Sequence, residues 1–391
     1  MSVSSIYFDG AHICKIYSYL CIMYINCDFS RLEIDLNGCL DNYKYFRSRL
    51  EDSTKLLVLV KANAYGHGAV EFASLMEKAG ADYMAVAYPV EGIELRQAGI
   101  KSPIMVLTAG TDSFEQLINY GLEPGIPNLF SLKVLCEVLE KRGMYDFPIH
   151  VKLDTGMHRL GFMTDELQEL LDFFKDCRHV RVKSVYSHLA AADDPTHDDF
   201  TMGQVALFQK NADLLTEALG YKPMYHILNS AGIERFPQYQ FDMVRLGIGI
   251  YGVSAIPGNE LAPVASFKCK VLQVKTLAPG DGTIGYGRHG KIASEGTVIA
   301  TIPVGYADGL DRHLSCGKGS FSINGHRVPT IGNICMDMTM LDVTGLDVKV
   351  GDTVTIFGED PTISELASIL GTIPYEILTS VPRRIERIIV K

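Results

Sequence analysis

Short apolar runs alternate with amphipathic stretches over the first two thirds of the chain. A short run rich in Val, Ile and Leu marks a buried strand; apolar residues recurring every three to four positions mark a helix. This pattern predicts strands over 56–60, 83–86, 104–107, 122–125, 149–153, 182–187, 224–228 and 243–246. Helices are predicted over 69–78, 90–98, 114–120, 131–141, 166–174, 200–219 and 230–236. Eight strands with a crossover after each is the count of a (β/α)8 TIM-type barrel. A doubly wound open sheet is the alternative, but the glycine fingerprint after its first strand is absent.

Residues 29–36 alternate and predict one further strand, either leading into the barrel or packing on the second domain. Near Pro263 the pattern changes. Residues 265–274, 297–302, 320–323, 327–331, 338–342, 353–357 and 385–390 read as strands joined by short turns, with a short helix over 364–370. Asn324-Gly325 is a two-residue hairpin signal. The expected organisation is a barrel over 28–262 and a mostly antiparallel β domain over 263–391, joined through the linker-like stretch 255–263.

Composition narrows the class. A chain of 391 residues is too long for one ordinary core. The 47% hydrophobic content is that of a globular protein. A net charge of −10 argues against nucleic-acid binding and for a soluble protein. Nine cysteines, odd in number and without C-x-x-C spacing, suggest reduced thiols and a cytoplasmic location. No metal site is expected. The first 27 residues fit poorly with the rest. Residues 16–25 are apolar and tyrosine-rich, too short for a bilayer span of about 20 residues. They also lack the basic start and cleavage site of a signal peptide. The expectation is a leader outside the fold, with Met23 as the natural start and no membrane partner. Peptides from residues 1–22 in the native protein would refute it.

The chemistry lies at strand ends. The run 56–60 ends in Lys61-Ala62-Asn63-Ala64-Tyr65-Gly66-His67-Gly68. An ammonium where a strand leaves the core is partly desolvated, which lowers its pKa and frees the amine. The glycines are expected to supply the tight turn. In a barrel the active site sits at the C-terminal ends of the strands. There the sequence places Lys152 and Arg159 after strand five, His188 after six, Asn229-Ser230 after seven, and Arg245 with Gly247, Ile248, Gly249 and Gly252 at eight. Ser230 and the Gly247–Ile248 amides suit a phosphate. A lysine plus a phosphate cradle suits pyridoxal phosphate. Taken singly, and Lys61 excepted, each reads better as something plainer: Arg159 as a surface ion-pair partner, His188 as a core histidine and the glycines as loop formers. Five polar strand ends converging on one face favour a site.

The second domain adds Gly285-Tyr286-Gly287, Val304-Gly305-Tyr306-Ala307-Asp308-Gly309, Asn333-Ile334-Cys335-Met336-Asp337 and Pro374-Tyr375-Glu376. With these, the sequence from about residue 30 onward resembles the bacterial alanine racemases. The resemblance implies that Lys61 carries pyridoxal phosphate as a Schiff base and is the base on the D-alanine side, with Tyr286 the base on the L-alanine side. Tyr65, Ser230, Gly247, Ile248 and Tyr375 match phosphate-holding positions, with His188 and Asn229 beside them. Arg245 matches the arginine facing the pyridine nitrogen. Arg159 and the Met336 backbone match the substrate-carboxylate contacts. Lys152, Tyr306 and Asp337 match supporting positions, Lys152 being carbamylated in many members. It also implies a homodimer with shared sites that supplies D-alanine for peptidoglycan. The departures are the leader and the lack of a tryptophan ahead of Glu33-Ile34-Asp35.

Two bases on opposite faces are the direct means of racemisation. Arg245 separates this reading from an amino-acid decarboxylase of the same fold, which by resemblance places a carboxylate there. A guanidinium does not give up its proton to the ring. The second domain and Tyr286 argue against a non-catalytic pyridoxal-phosphate carrier. A cofactor-free Schiff-base aldolase would be colourless. Substrate breadth stays open, serine included, because a pocket discriminates one added hydroxyl poorly.

Overall fold

The computed structural model describes residues 29–390. The leader expectation and Met23 lie outside the described residues. β1 (Ser30–Asp35) is followed by a helix over Leu36–Arg47, then by eight parallel strands. These are β2 (Lys55–Leu59), β3 (Tyr83–Val86), β4 (Ile104–Val106), β5 (Glu123–Ile126), β6 (Phe147–Lys152), β7 (Val180–Tyr186), β8 (Met224–His226) and β9 (Met243–Leu246). Their spatial order is β8-β7-β6-β5-β4-β3-β2-β9. Backbone bonds from Asp242 to Tyr225 and from Arg245 to Leu228 bridge β8 and β9 and close the barrel. The strands are buried on both faces, outside by the crossover helices and inside by the side chains that fill the barrel, so they read as continuous apolar runs.

The helix Leu36–Arg47 was not expected. Asn37 and Gly38 are weak helix formers and hide its start. The Asp35 carboxylate caps it by accepting from both of their amides. Cys39, Tyr43 and Phe46 bury its inner face.

β1 belongs to a six-stranded sheet, pairing antiparallel with β10 (Ala265–Lys270) and parallel with β19 (Glu386–Val390). The sheet is completed by β15 (Ser320–Ile323), β16 (His326–Pro329) and β18 (Thr353–Phe357). The single strand expected over 265–274 is two. After β10 the Val271 amide bonds to Asp352 and the Leu272 amide to Thr301, so the chain changes sheets there. β11 (Gln273–Leu277) then joins β14 (Thr297–Ile302) and β17 (Thr339–Asp342). An apolar run does not record which sheet accepts it. The short ribbon β12 (Thr283–Ile284) and β13 (Gly290–Lys291) presents Tyr286 in its connection. A second unexpected helix, Pro374–Ser380, starts on proline and carries Tyr375.

Candidate active site

Lys61 follows β2 and opens an unusual turn. Ala62, Asn63, Ala64 and Tyr65 all hold φ between 50° and 55°. Four consecutive non-glycine residues are thus left-handed, at a cost of about 4–8 kcal/mol. The expectation that glycine forms this turn is corrected; Gly66 and Gly68 only come after it. Several contacts hold the turn. The Glu91 carboxylate accepts from the Ala62 amide at 2.6 Å and from the Ala87 and Tyr88 amides. Asn63 accepts from the Ala69 amide at 3.0 Å. From β19, Arg387 donates to the carbonyl of Gly66 at 2.9 Å and also to Val381, Pro382 and Ile385. A Cβ on Gly66 would lie 2.6 Å from the Leu378 carbonyl oxygen. The β domain therefore clamps the turn that carries Lys61. Arg387→Ala should cost about 3 kcal/mol of stability, read from urea unfolding. An unchanged midpoint would show that the clamp lies elsewhere.

A cavity of about 550 Å³ opens at the C-terminal ends of the barrel strands. Lys61, Tyr65, Lys152, Arg159, His188, Asn229, Ser230, Arg245, Gly247, Ile248 and Tyr375 all line it. The cavity is strongly cationic. Burial, then the nearby Arg159 charge, lowers the Lys61 pKa. Burial, with Arg159 and Arg245 close by, lowers Lys152 to about 8. Arg245 is fully buried and is lowered to about 10, so it stays charged near neutral pH. It is solvated by the carbonyls of Ser187, His226 and Ile227 and faces His188 Nδ1 at 3.3 Å. Burial and these cations hold His188 well below its usual range.

Burial also depresses His226 and takes His67 from 6.5 to about 4. These imidazoles are neutral in the fold but protonate when the chain unfolds. Stability is therefore complete above about pH 6.5 and is lost as pH falls through the folded values. His67 alone should remove about 2 kcal/mol by pH 5. A urea midpoint equal at pH 7 and pH 5 would contradict this.

The residues expected to cradle a phosphate are brought together and bonded to one another. Ser230 Oγ accepts from the Gly247 amide at 2.9 Å and the Gly249 amide at 3.1 Å. Asn229 caps the helix Ser230–Arg235 by accepting from the Gly232 amide. Tyr65 packs on Tyr251 at 4.6 Å and near Tyr375 at 5.8 Å between ring centroids. A Cβ on Gly247 would stand 3.1 Å from the Tyr65 hydroxyl, so glycine leaves room for that hydroxyl. Gly249 and Gly252 have other reasons: the first packs against Phe46, the second has φ +96°.

Four expected site residues lie outside this cavity. Tyr286 is 73% exposed and borders a separate hollow with Cys335 and Met340. Met336 and Tyr306 are exposed on the same domain. Asp337 is bonded to Arg384 at 2.8 Å. The expected site residues did not include Glu91, His226 or Arg387, nor Tyr186, which lines the cavity with its ring 5.7 Å from the Arg245 guanidinium. The signal for His226 was present: a polar residue interrupting an apolar strand.

The description "Alanine racemase, N-terminal domain" matches residues 34–255, and "Alanine racemase, C-terminal domain" matches residues 264–389. The chain belongs to the alanine racemase family. It is 37% identical to the alanine racemase of Synechocystis sp., over 92% of this chain and 98% of that one. It is also 37% identical to the alanine racemase of Methanococcus maripaludis, over 91% of this chain and 97% of the relative. Among solved structures, the alanine racemase of Clostridium difficile 630 superposes with a TM-score of 0.85 at 34% identity, covering 92% of this chain and 95% of that one. The Bartonella henselae alanine racemase, described with covalently bound pyridoxal phosphate, gives 0.83 at 30% identity, covering 93% and 99%. The expected fold class is borne out: the family's barrel is followed by its β domain.

Proposed function

We infer that this chain is an alanine racemase that interconverts L-alanine and D-alanine with pyridoxal phosphate, supplying D-alanine for peptidoglycan. The observation that carries the reading is one cavity shared by Arg245, a lysine of lowered pKa and the Ser230–Gly247 turn. The donor set fits the cofactor. Tyr65, Ser230, Tyr375 and the Gly247 and Ile248 amides would hold the phosphate, with Asn229 fixing the Ser230 turn. Lys61 would hold the aldehyde carbon and Arg245 the ring nitrogen. When bound, the cofactor withdraws electrons and acidifies the substrate Cα–H.

The protein supplies the rest. Lys61 Nζ, favoured as a neutral amine by burial, takes or returns the proton on the D-alanine face. Tyr286 Oη does so on the L-alanine face. His188 and Arg245, both lining the cavity, would stabilise the Tyr286 phenolate and so let the tyrosine give up its proton. Arg159, with the Met336 backbone, receives the substrate carboxylate. Tyr306 and Asp337 support that edge, Asp337 through Arg384. Lys152 at about 8 is roughly one-tenth neutral amine at pH 7. That amine can add carbon dioxide and release a proton, giving a carbamate that pairs with Arg159. Lack of a carbamate signal in ¹³C-bicarbonate NMR would refute this step.

Tyr286, Tyr306, Met336 and Met338 form an exposed apolar group on the β domain. We read it as the face of a homodimer that brings Tyr286 to the partner's cavity. The same reading divides the chain into barrel residues 28–262, with β1 lent to the β domain, and residues 263–391. A cytoplasmic location belongs to it too, since the six described cysteines are free thiols. Among the described residues no helix is long and apolar enough to cross a membrane. The test is visible absorbance of the purified protein, bleached by borohydride, together with circular dichroism of D-alanine turnover. A colourless protein would remove the reading. Arg245→Glu should keep the cofactor, slow racemisation about tenfold to a hundredfold and raise loss of amino groups as ketoacid. If ketoacid formation does not rise relative to racemisation, the role of Arg245 is wrong.

A further inference from the structure

A chain of hydrogen bonds crosses the barrel interior and takes one side chain from each of five consecutive strands. Arg245 on β9 donates from Nη1 to His226 Nδ1 on β8 at 3.0 Å. His226 Nε2 lies 2.8 Å from Ser184 Oγ on β7. Ser184 Oγ lies 2.6 Å from His150 Nδ1 on β6. His150 Nε2 lies 2.9 Å from Glu123 Oε2 on β5. All five residues are buried. The β6–β7 register slips between Ile149 and His150, pairing His150 with Ser184 and skipping Lys183. This bulge turns both side chains inward together.

The chemistry of the groups fixes the direction. A guanidinium only donates, so His226 Nδ1 accepts and its Nε2 carries the proton. His226 then donates to Ser184, whose hydroxyl proton is free to go to His150 Nδ1. His150 therefore carries its proton on Nε2 and donates to the carboxylate. Every bond points from the cation towards the anion, and such a chain polarises each member in turn. The ends have opposite charge. Arg245 is a buried cation hydrogen-bonded to carbonyls and imidazoles, with the Tyr186 ring 5.7 Å away and no carboxylate among its partners, and a buried charge needs compensation. Glu123 is faced by His150 and Tyr83, with Lys183 and Arg96 nearby.

We propose that Glu123, His150 and Ser184 are positioning residues for Arg245. Through His226 they deliver the carboxylate's charge to Nη1 and hold the guanidinium as a fixed donor that keeps its proton. The inference rests on the reading that Arg245 faces the cofactor ring. Without the chain, Arg245 moves and shares its proton more readily with the ring, which favours ketoacid formation.

Two measurements test it. Histidine-labelled holoenzyme should show His150 and His226 neutral with the proton on Nε2 by ¹⁵N NMR. An imidazolium at His150 would overturn the proposal, because both rings would then donate into Ser184. Glu123→Gln keeps shape and an acceptor for His150 but removes the charge; Ser184→Ala breaks the chain. Each should raise the ratio of ketoacid to racemised alanine about threefold, with bound-cofactor absorbance retained. Ser184→Thr, which keeps the hydroxyl, should restore the ratio. A fall in turnover with an unchanged ratio in both variants means a packing role and rejects the chain. Arg245→Glu measured alongside separates the two ideas. A raised ratio there alone rejects only the chain. No rise in any of the three rejects the role of Arg245 and the chain with it.

Discussion

Lys61→Ala should abolish the visible absorbance of bound cofactor and reduce racemisation by more than about three orders of magnitude. Two losses combine. On the proposed reading, the amine that anchors the cofactor disappears, and so does the base on one face of the substrate. Among the described residues, Lys152 is the one other lysine that lines the cavity, and it is not placed to replace Lys61. It sits at the end of β6, between Arg159 and Arg245. The fold should survive, because the left-handed turn is held by Glu91, Asn63 and Arg387 and not by the Lys61 side chain. Retained absorbance that borohydride still bleaches would show that another lysine carries the cofactor. Absorbance lost together with cooperative unfolding would show instead that Lys61 has a structural role.

Much of the barrel was legible because its strands are short apolar runs between amphipathic helices. Lys61, Lys152 and Arg245 were legible for a related reason: a cation ending a buried run has no packing role to explain it. The left-handed turn was not legible. Its residues are alanine, asparagine and tyrosine, and what holds them is a carboxylate from the next crossover and an arginine more than three hundred residues later. Helices Leu36–Arg47 and Pro374–Ser380 were missed where weak formers or a short span hid the period. β10 and β11 were merged because apolar alternation persists across a change of sheet. Glu123, His150, Ser184 and His226 lay in plain view as polar residues inside apolar strands. Only the closed barrel reveals that they meet. Tyr286 stood out by resemblance alone, and within one subunit its hydroxyl does not line the cavity that holds Lys61.

That separation leads to the most demanding prediction. Lys61 is in the barrel, and Tyr286 stands exposed on the β domain, outside the Lys61 cavity. If a two-fold dimer seats each tyrosine in the partner's cavity, neither subunit alone holds both bases, and a closed isologous dimer is the commonest way to arrange this. Lys61→Ala and Tyr286→Phe proteins should then each be inactive, for different reasons. After mixing and subunit exchange, one site of a heterodimer gathers both lesions. The other gathers the intact Lys61 and the intact Tyr286. With equal mixing half the dimers are mixed and each has one working site of two, so activity should recover to roughly a quarter of wild type. Tyrosine and phenylalanine differ by one hydroxyl, so the dimer face should be little disturbed and the recovery should track exchange in time. A mixture that stays inactive, although mass labelling shows that subunits have exchanged, would place both bases on one chain. The exposed Tyr286 would then have to reach Lys61 by a rearrangement within its own subunit.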